Sequence, residues 1–376
     1  MNVLLQVQIN IVSSILAVII LGHAYFNMNR KKIRNKIFLW ILALTLLTLI
    51  LETFSILLDG PEMRPYITLH KLVNILGFSI APVIPFLGYM FSKEWVSRYQ
   101  KEKIKSNYLL FTLPLVINLI GALLSYKGNG LFHITGTNTY ERGTLFFILP
   151  TITYIYFSYN LYFIYKLRRK FSSSELVIFS TFYIVPAISI YIQLEYASYL
   201  TIWNSLTIIL VFAYMFILNE QAYRDSLTGL ENRLSYEHYA QNINKKRLQK
   251  LFIVYLDIDE FKMINDQFGH LEGDEAIKIF ADLLVESFRV KHKRLIRLGG
   301  DEFLILLNAQ KQEQVEACIQ LLIQQVETYN TRAMKPYRLK FSFGLAGYTK
   351  AVDCIHQILE TADQAMYAQK QSRKGY

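Results

Sequence analysis

Cysteine is almost missing from this chain: Cys318 and Cys354 are the only two among 376 residues. So few thiols exclude a disulfide framework and give no zinc-ligand spacing, and both read as packing residues. The N-terminus lacks a basic stretch ahead of its first apolar run. The basic cluster follows that run instead, so no cleavable signal peptide is expected. Acidic residues are in the minority, 29 against 40 Lys and Arg, for a net charge of +11. An excess of this size can serve nucleic-acid binding. Here the cations gather at the ends of apolar segments, which is the pattern of membrane topology, and no nucleic-acid partner is expected. A linker is also missing. Only Asn219 to Arg224 separate the last apolar stretch from the polar motif at Asp225, which leaves no room for a long coiled coil or an inserted sensor domain.

Hydrophobic residues make up 53% of the chain, too many for one soluble domain, although the C-terminal part is ordinary in polarity. The natural division is a membrane region over 1–219 and a soluble domain over 220–376. Seven apolar stretches precede residue 220, at 3–27, 37–58, 72–92, 107–126, 144–166, 175–194 and 201–219. Each approaches the ~20 residues that cross a bilayer as a helix. The last two are separated only by Glu195 to Leu200, so a six-helix count is the rival. The loops alternate in charge. Arg30, Lys31, Lys32, Arg34 and Lys36 occupy the first, the run from Lys93 to Lys105 the third, and Lys166 to Lys170 the fifth. The positive-inside rule makes these cytoplasmic, with the N-terminus outside and everything after residue 219 inside. That agrees with seven crossings and not with six. His23, Glu52, Asn118 and Asn204 are polar residues at membrane depth, and five prolines (82, 85, 114, 150 and 186) lie there too. Glu52 reads equally as an interfacial, paired group and as part of a sensing site. The aromatic run from Tyr154 to Tyr165 either packs helices or lines a ligand cavity.

The soluble part carries two constellations. Arg297-Leu298-Gly299-Gly300-Asp301-Glu302-Phe303 places two acids after two glycines, the pattern of a tight hairpin tipped with carboxylates. Upstream, the apolar run Leu251–Leu256 ends in Asp257-Ile258-Asp259. An acid at the end of a buried strand beside an acid-tipped hairpin suits a hard cation and phosphate chemistry. The periodicity predicts strands at 251–258, 294–298, 303–308 and 338–347, with helices near 260–266, 273–288, 311–330 and 355–372. That order contains β-α-β-β-α-β, the ferredoxin-like split unit of an α+β (α/β) domain.

Residues 222–376 resemble the GGDEF-type diguanylate cyclase domain. The resemblance rests on these two constellations and on three further motifs: Asp225-Ser226-Leu227-Thr228-Gly229-Leu230-Glu231-Asn232-Arg233, Phe341-Ser342-Phe343-Gly344 and Ala362-Asp363-Gln364-Ala365-Met366-Tyr367. It implies a palm-like sheet that brings Asp257 near Asp301 and Glu302. It also implies that two GTP molecules, one per subunit of a homodimer, condense to cyclic di-GMP and two pyrophosphates. Asp257, the Ile258 carbonyl, Asp301 and Glu302 would hold Mg²⁺, with Mn²⁺ as a substitute, and Asp301 would help deprotonate the attacking hydroxyl. Lys262 and Lys370 would meet phosphate oxygens, and Asn265 and Asp274 would read guanine. Asp225 and Arg233 would couple the opening turn to the domain, and Gly299 and Gly300 would shape the hairpin. Two departures stand out. Val290 and Lys293 occupy the places of the family's frequent Arg-x-x-Asp product site, and Lys374 stands where the family has a phosphate-contacting Arg. The whole would be a multi-pass protein of the bacterial inner membrane. Its catalytic domain would be cytoplasmic and its dimer would form through that domain and the last transmembrane helix. The alternative is a silent domain acting as a GTP-binding regulatory module.

Overall fold

The computed structural model describes residues 3–97, 108–128, 130–168, 171–196, 202–290, 292–333, 335–349 and 354–374. It divides into two compact units, Met1–Ile217 and Leu218–Tyr376.

The first unit is helical. Its helices are α1 (Val3–Asn27), α2 (Ile33–Leu58), α3 (Ile67–Ile80), α4 (Val83–Ser97), α5 (Tyr108–Leu124), α6 (Ile148–Lys166), α7 (Ser173–Tyr196) and α8 (Ile202–Ala222). The third apolar stretch, expected as one helix over 72–92, is instead two. Pro82 has no N–H with which to continue the ladder, so α3 ends and α4 restarts after it. Pro114 and Pro186 lie inside α5 and α7, which continue past them. Among the described residues five helical spans are long and apolar enough to cross a membrane: Val3–Asn27, Ile33–Leu58, Pro61–Ser97, Ser173–Glu195 and Ile202–Ala222. For α5 and α6 the expectation of a crossing rests on sequence alone. Basic residues counted at 98–105 and 169–170, and the junction at 197–201, lie outside the described residues.

A short hairpin, β1 (Phe132–Ile134) and β2 (Tyr140–Arg142), was not expected, because that loop was read only for its charge. Phe132 and Ile134 pack with Ile75 and Ala122. Asn138 takes a left-handed conformation (φ 60°) at the tip. Its Nδ2 donates to the carbonyls of Leu58 and Met63 at 2.7 and 2.8 Å, and its Oδ1 lies 3.0 Å from His70 Nδ1. Polar residues within these apolar helices are paired across helices. Asn204 donates to Asn10, and Asn10 to Glu52, at 2.9 and 3.0 Å. His23 Nδ1 meets the Tyr214 hydroxyl at 2.6 Å.

The second unit is built on a five-stranded sheet of β3 (Glu231–Asn232), β4 (Leu251–Ile258), β5 (Lys293–Gly299), β6 (Glu302–Asn308) and β7 (Phe341–Gly347), in the order β3-β5-β6-β4-β7. Short α9 (Arg233–Asn242) and α10 (Lys245–Leu248) precede β4. Then come α11 (Phe261–Phe268), α12 (His270–Ser287), α13 (Gln312–Arg332) and α14 (Ile355–Lys374). From β4 onward the connectivity is the expected β-α-β-β-α-β. The β4 run is apolar from Leu251 to Leu256 because helices cover both faces of the sheet. Its even residues, Val254, Leu256 and Ile258, join a core with Phe280 of α12 and Leu322 of α13. Its odd residues, Ile253 and Tyr255, pack with Ala362 and Met366 of α14.

Candidate active site

Strand alternation places Asp257 on the α14 face, because it continues the odd series of Ile253 and Tyr255. β4 pairs antiparallel with β6 so that Asp257 stands opposite Glu302, and with β7 so that it stands opposite Ser342. The hairpin between β5 and β6 turns through Gly300 (φ 50°), a conformation that favours glycine. A bulge at Arg297–Gly299 lets the tip lean toward β4, where Ile258 N–H donates to the Asp301 carbonyl at 3.2 Å. The sheet thus brings Asp257, Asp301 and Glu302 to one end, as expected.

The α14 helix delivers a cation to that end. It lies very close to β7: a Cβ on Gly344 would collide with the Ala362 carbonyl oxygen and the Met366 nitrogen. Ala362 and Met366 are buried beneath it. One turn past Met366, Lys370 Nζ forms an ion pair with Asp257 Oδ1. Arg373 stands 3.5 Å from Asp259 and donates to the Phe341 carbonyl at 2.7 Å. Ser342 Oγ donates to Asp259 at 2.7 Å, and Tyr255 O–H to Glu302 at 3.0 Å. Burial raises the Asp257 carboxyl above its usual range. The bond from Lys370 opposes that rise, and the nearby Asp301 and Asp259 charges add to it. Four carboxylates, Asp257, Asp259, Asp301 and Glu302, thus gather at this end with Lys370 and Arg373 as their cations. Glu260, next in the chain, is held in the left-handed region (φ 57°) at the start of α11. Strain of this kind in a non-glycine residue persists only where the surroundings enforce it.

The residues assigned to the nucleotide lie on α11 and α12. Lys262 is exposed on α11. Asn265 lies over Gly273, whose missing side chain makes the space: a Cβ there would collide with Asn265 Oδ1. Asp274 follows directly, exposed at the beginning of α12. The Lys374 side chain lies outside the described residues.

The opening turn is locked by a residue the sequence reading passed over. Asp225 accepts from Thr228 N–H and O–H at 2.8 and 2.7 Å and from Arg297 Nη1 at 3.1 Å. Arg297 also donates through Nε and Nη2 to the Gly300 carbonyl, at 3.0 and 2.8 Å. One guanidinium therefore ties the turn to the hairpin. Burial would raise the Asp225 carboxyl, but its bonds to Thr228 and Arg297 outweigh that and hold it below its ordinary value. Among the described residues Arg233, expected in a coupling role, pairs with Glu237 on its own helix at 3.9 Å, and both side chains are exposed. The signal that would have pointed to Arg297 is its place two residues before the glycine pair, on the strand that borders the opening motif.

Residues 222–375 match the family described as "Diguanylate cyclase, GGDEF domain". This part of the chain is a GGDEF domain. The diguanylate cyclase DgcS of Shewanella oneidensis is 32% identical over 159 residues, which cover 41% of this chain and 52% of that protein. The cyclic di-GMP phosphodiesterase PdeR of Escherichia coli is 33% identical over 159 residues, 40% of this chain and 23% of that protein. Among solved structures, the GGDEF domain of DgcB from Caulobacter crescentus, in complex with c-di-GMP, is 25% identical. It covers 40% of this chain and 91% of that one, with a TM-score of 0.37. The match spans from 15% to 52% of the length of DgcS, PdeR and six further curated relatives.

Proposed function

We propose that this protein is a membrane-embedded diguanylate cyclase that condenses two GTP into cyclic di-GMP. One observation carries the reading: Asp257 and Glu302 stand in register at one end of a GGDEF sheet, beside the acid-tipped hairpin. Asp257, Asp301 and Glu302 are hard oxygen donors, and a cation would offset the burial and the neighbouring Asp301 and Asp259 charges that raise Asp257. Among the described residues no three such side chains converge as a finished metal site, since Lys370 is paired with Asp257 and Tyr255 with Glu302. The donor chemistry fits Mg²⁺ or Mn²⁺ held by Asp257, the Ile258 carbonyl, Asp301 and Glu302. When bound, the ion supplies positive charge where the phosphoryl group is transferred.

The remaining work falls to the chain itself. Asp301 accepts the proton of a ribose 3′-hydroxyl. The new bond joins that oxygen to the α-phosphorus of the second GTP, and the bond from that phosphorus to the leaving pyrophosphate breaks. Lys262 and Lys370 offset phosphate charge, and Asn265 and Asp274 hold guanine. A carboxylate at Asp274 accepts from the base N1–H and amine, a donor pair that adenine lacks. Each subunit supplies one bound GTP, so turnover needs a homodimer. Seven crossings with the N-terminus outside place the domain where GTP is, and the five long apolar spans support membrane insertion. Asp225 follows the end of α8 at Ala222 so closely that a change in α8 reaches the opening turn directly.

The test is turnover by the purified full-length dimer with GTP and Mg²⁺. Cyclic di-GMP and pyrophosphate should appear in a ratio of about one to two, the stoichiometry of two phosphoryl transfers. GTP that is bound but returned unchanged would overturn the cyclase and leave a regulatory nucleotide-binding module.

A further inference from the structure

The geometry points to a second ligand site, a cavity inside the helical unit shaped for a small amphiphile with an ammonium head and an apolar body. The cavity encloses about 340 Å³, near the lower end of the range for small-molecule sites. It lies where the end of α2, the hairpin strand β2, the start of α6, the end of α7 and the start of α8 meet. That is the end of the bundle away from Ala222, where α8 finishes. Leu51, Phe78, Phe157, Phe182 and Trp203 make most of its wall apolar and aromatic.

The polar groups on this wall bear on the ligand's chemistry, and the donors of Thr48, Ser55, Asn74 and Thr153 are already used. Thr48 O–H donates to the Thr45 carbonyl and Thr153 O–H to the Leu149 carbonyl, each within its own helix. Ser55 donates to Asn74 Oδ1, and the Asn74 amide returns a bond to Ser55 and gives another to the His70 carbonyl. Acceptor capacity remains on the wall. Gln193 Oε1 is buried without a hydrogen-bond partner. Glu52 accepts from Asn10 through Oε2, and a carboxylate can accept more than one such bond. The wall's one arginine, Arg142, is committed to the backbone: Nη1 and Nη2 donate to the carbonyls of Leu194 and Gln193, both at 3.3 Å. Its guanidinium also rests over the Phe146 ring at 4.8 Å. A cavity with two carboxylates on its wall, Glu52 and Asp59, against one arginine tied to backbone carbonyls, and with aromatic faces around it, selects a donor-rich cation. An anionic ligand would meet Glu52 with no uncommitted cation to offset it.

Ligand binding is read on the protein itself, so this site stands or falls apart from the cyclase. The full-length protein in detergent micelles is titrated with 2-phenylethylamine, 2-phenylethanol and 3-phenylpropionate, with protein-free micelles as the blank. The amine should bind saturably, and the alcohol and the carboxylate should bind at least about tenfold more weakly, the loss expected for one charge-assisted hydrogen bond. Glu52→Gln keeps an oxygen for Asn10 and should weaken the amine by a similar factor. Gln193→Met keeps the volume, removes the acceptor and should weaken it less. Equal binding of amine and alcohol by the parent, tighter binding of the carboxylate, or no saturable binding of the amine would overturn the proposal whether or not the variants fold. So would folded variants that bind the amine as the parent does.

Discussion

The two units bury polar groups in opposite ways. In the helical unit, buried Asn10, Asn35, Thr45, His70, Asn118, Asn160 and Asn204 are scattered along otherwise apolar helices. In the GGDEF unit, the buried polar residues among those described are Ser235, Asp257, Ser287 and Ser342, and Asp257 and Ser342 belong to one end of the sheet. Hydrogen bonds between helices in a membrane are individually weak, averaging about 0.6 kcal/mol. A bundle held by many of them can exchange partners at low cost. A core of interlocked apolar side chains cannot, and it holds whatever is mounted on its edge in a fixed position. The first design suits a region that responds, and the second a region that positions charge.

The largest effect should come from Gly344→Ala. The added methyl meets backbone atoms of α14 that have no easy way to move, and the GGDEF unit should lose about 3 kcal/mol of stability in denaturant titration. Activity should fall with it, because α14 carries Lys370 to Asp257. Retained stability would mean the sheet edge is less rigid than the comparison claims.

Asp225→Asn should cost about 1–2 kcal/mol by weakening the bond to Arg297. The carboxyl is held below its usual value of 3.8 in the folded state. Its contribution is therefore complete above the unfolded value and disappears as pH falls through the folded one. The gap between parent and variant, measured down to pH 3, should begin to close below about pH 4. A gap that stays constant would show that charge plays no part.

In the helical unit, Asn204→Leu should change stability by only about 0.6 kcal/mol, since it removes one interhelical bond to Asn10. A loss above about 2 kcal/mol would erase the contrast between the units. No effect at all is expected from the product. With Val290 and Lys293 in place of an Arg-x-x-Asp pair, initial rates should stay constant as cyclic di-GMP rises to about 1 μM, where a site worth about −8 kcal/mol would half-saturate. A steep fall that GTP does not relieve would reveal a product site elsewhere.

The GGDEF unit was readable because its signals are local and redundant. Strands such as Leu251–Ile258 are apolar runs of strand length ended by acids, and the helices between them carry a regular apolar spacing. The meeting of Asp257 with Glu302 followed from the strand order. The pairing of Lys370 with Asp257 did not, since it depends on how closely α14 lies against Gly344, a contact between segments distant in sequence. Arg297 and Arg373 were missed for the same reason: each acts on a partner far along the chain. In the helical unit, hydropathy located the helices but gave no account of the 132–142 hairpin or of Asn138, whose hydrogen bonds reach residues 58, 63 and 70. The break at Pro82 was in the sequence, but within an apolar stretch it reads equally as a kink or an end.

The central claim is that the carboxylates at the end of the β4–β6 pair serve chemistry and not folding. Glu302→Gln tests it most directly, with cyclic di-GMP formation and GGDEF melting measured on one preparation. The glutamine can still accept from Tyr255, so stability should change by less than about 1 kcal/mol. Product formation should fall at least about a thousandfold, because the charge needed beside the transferred phosphoryl group is gone. Near-normal product from a folded variant would contradict the account.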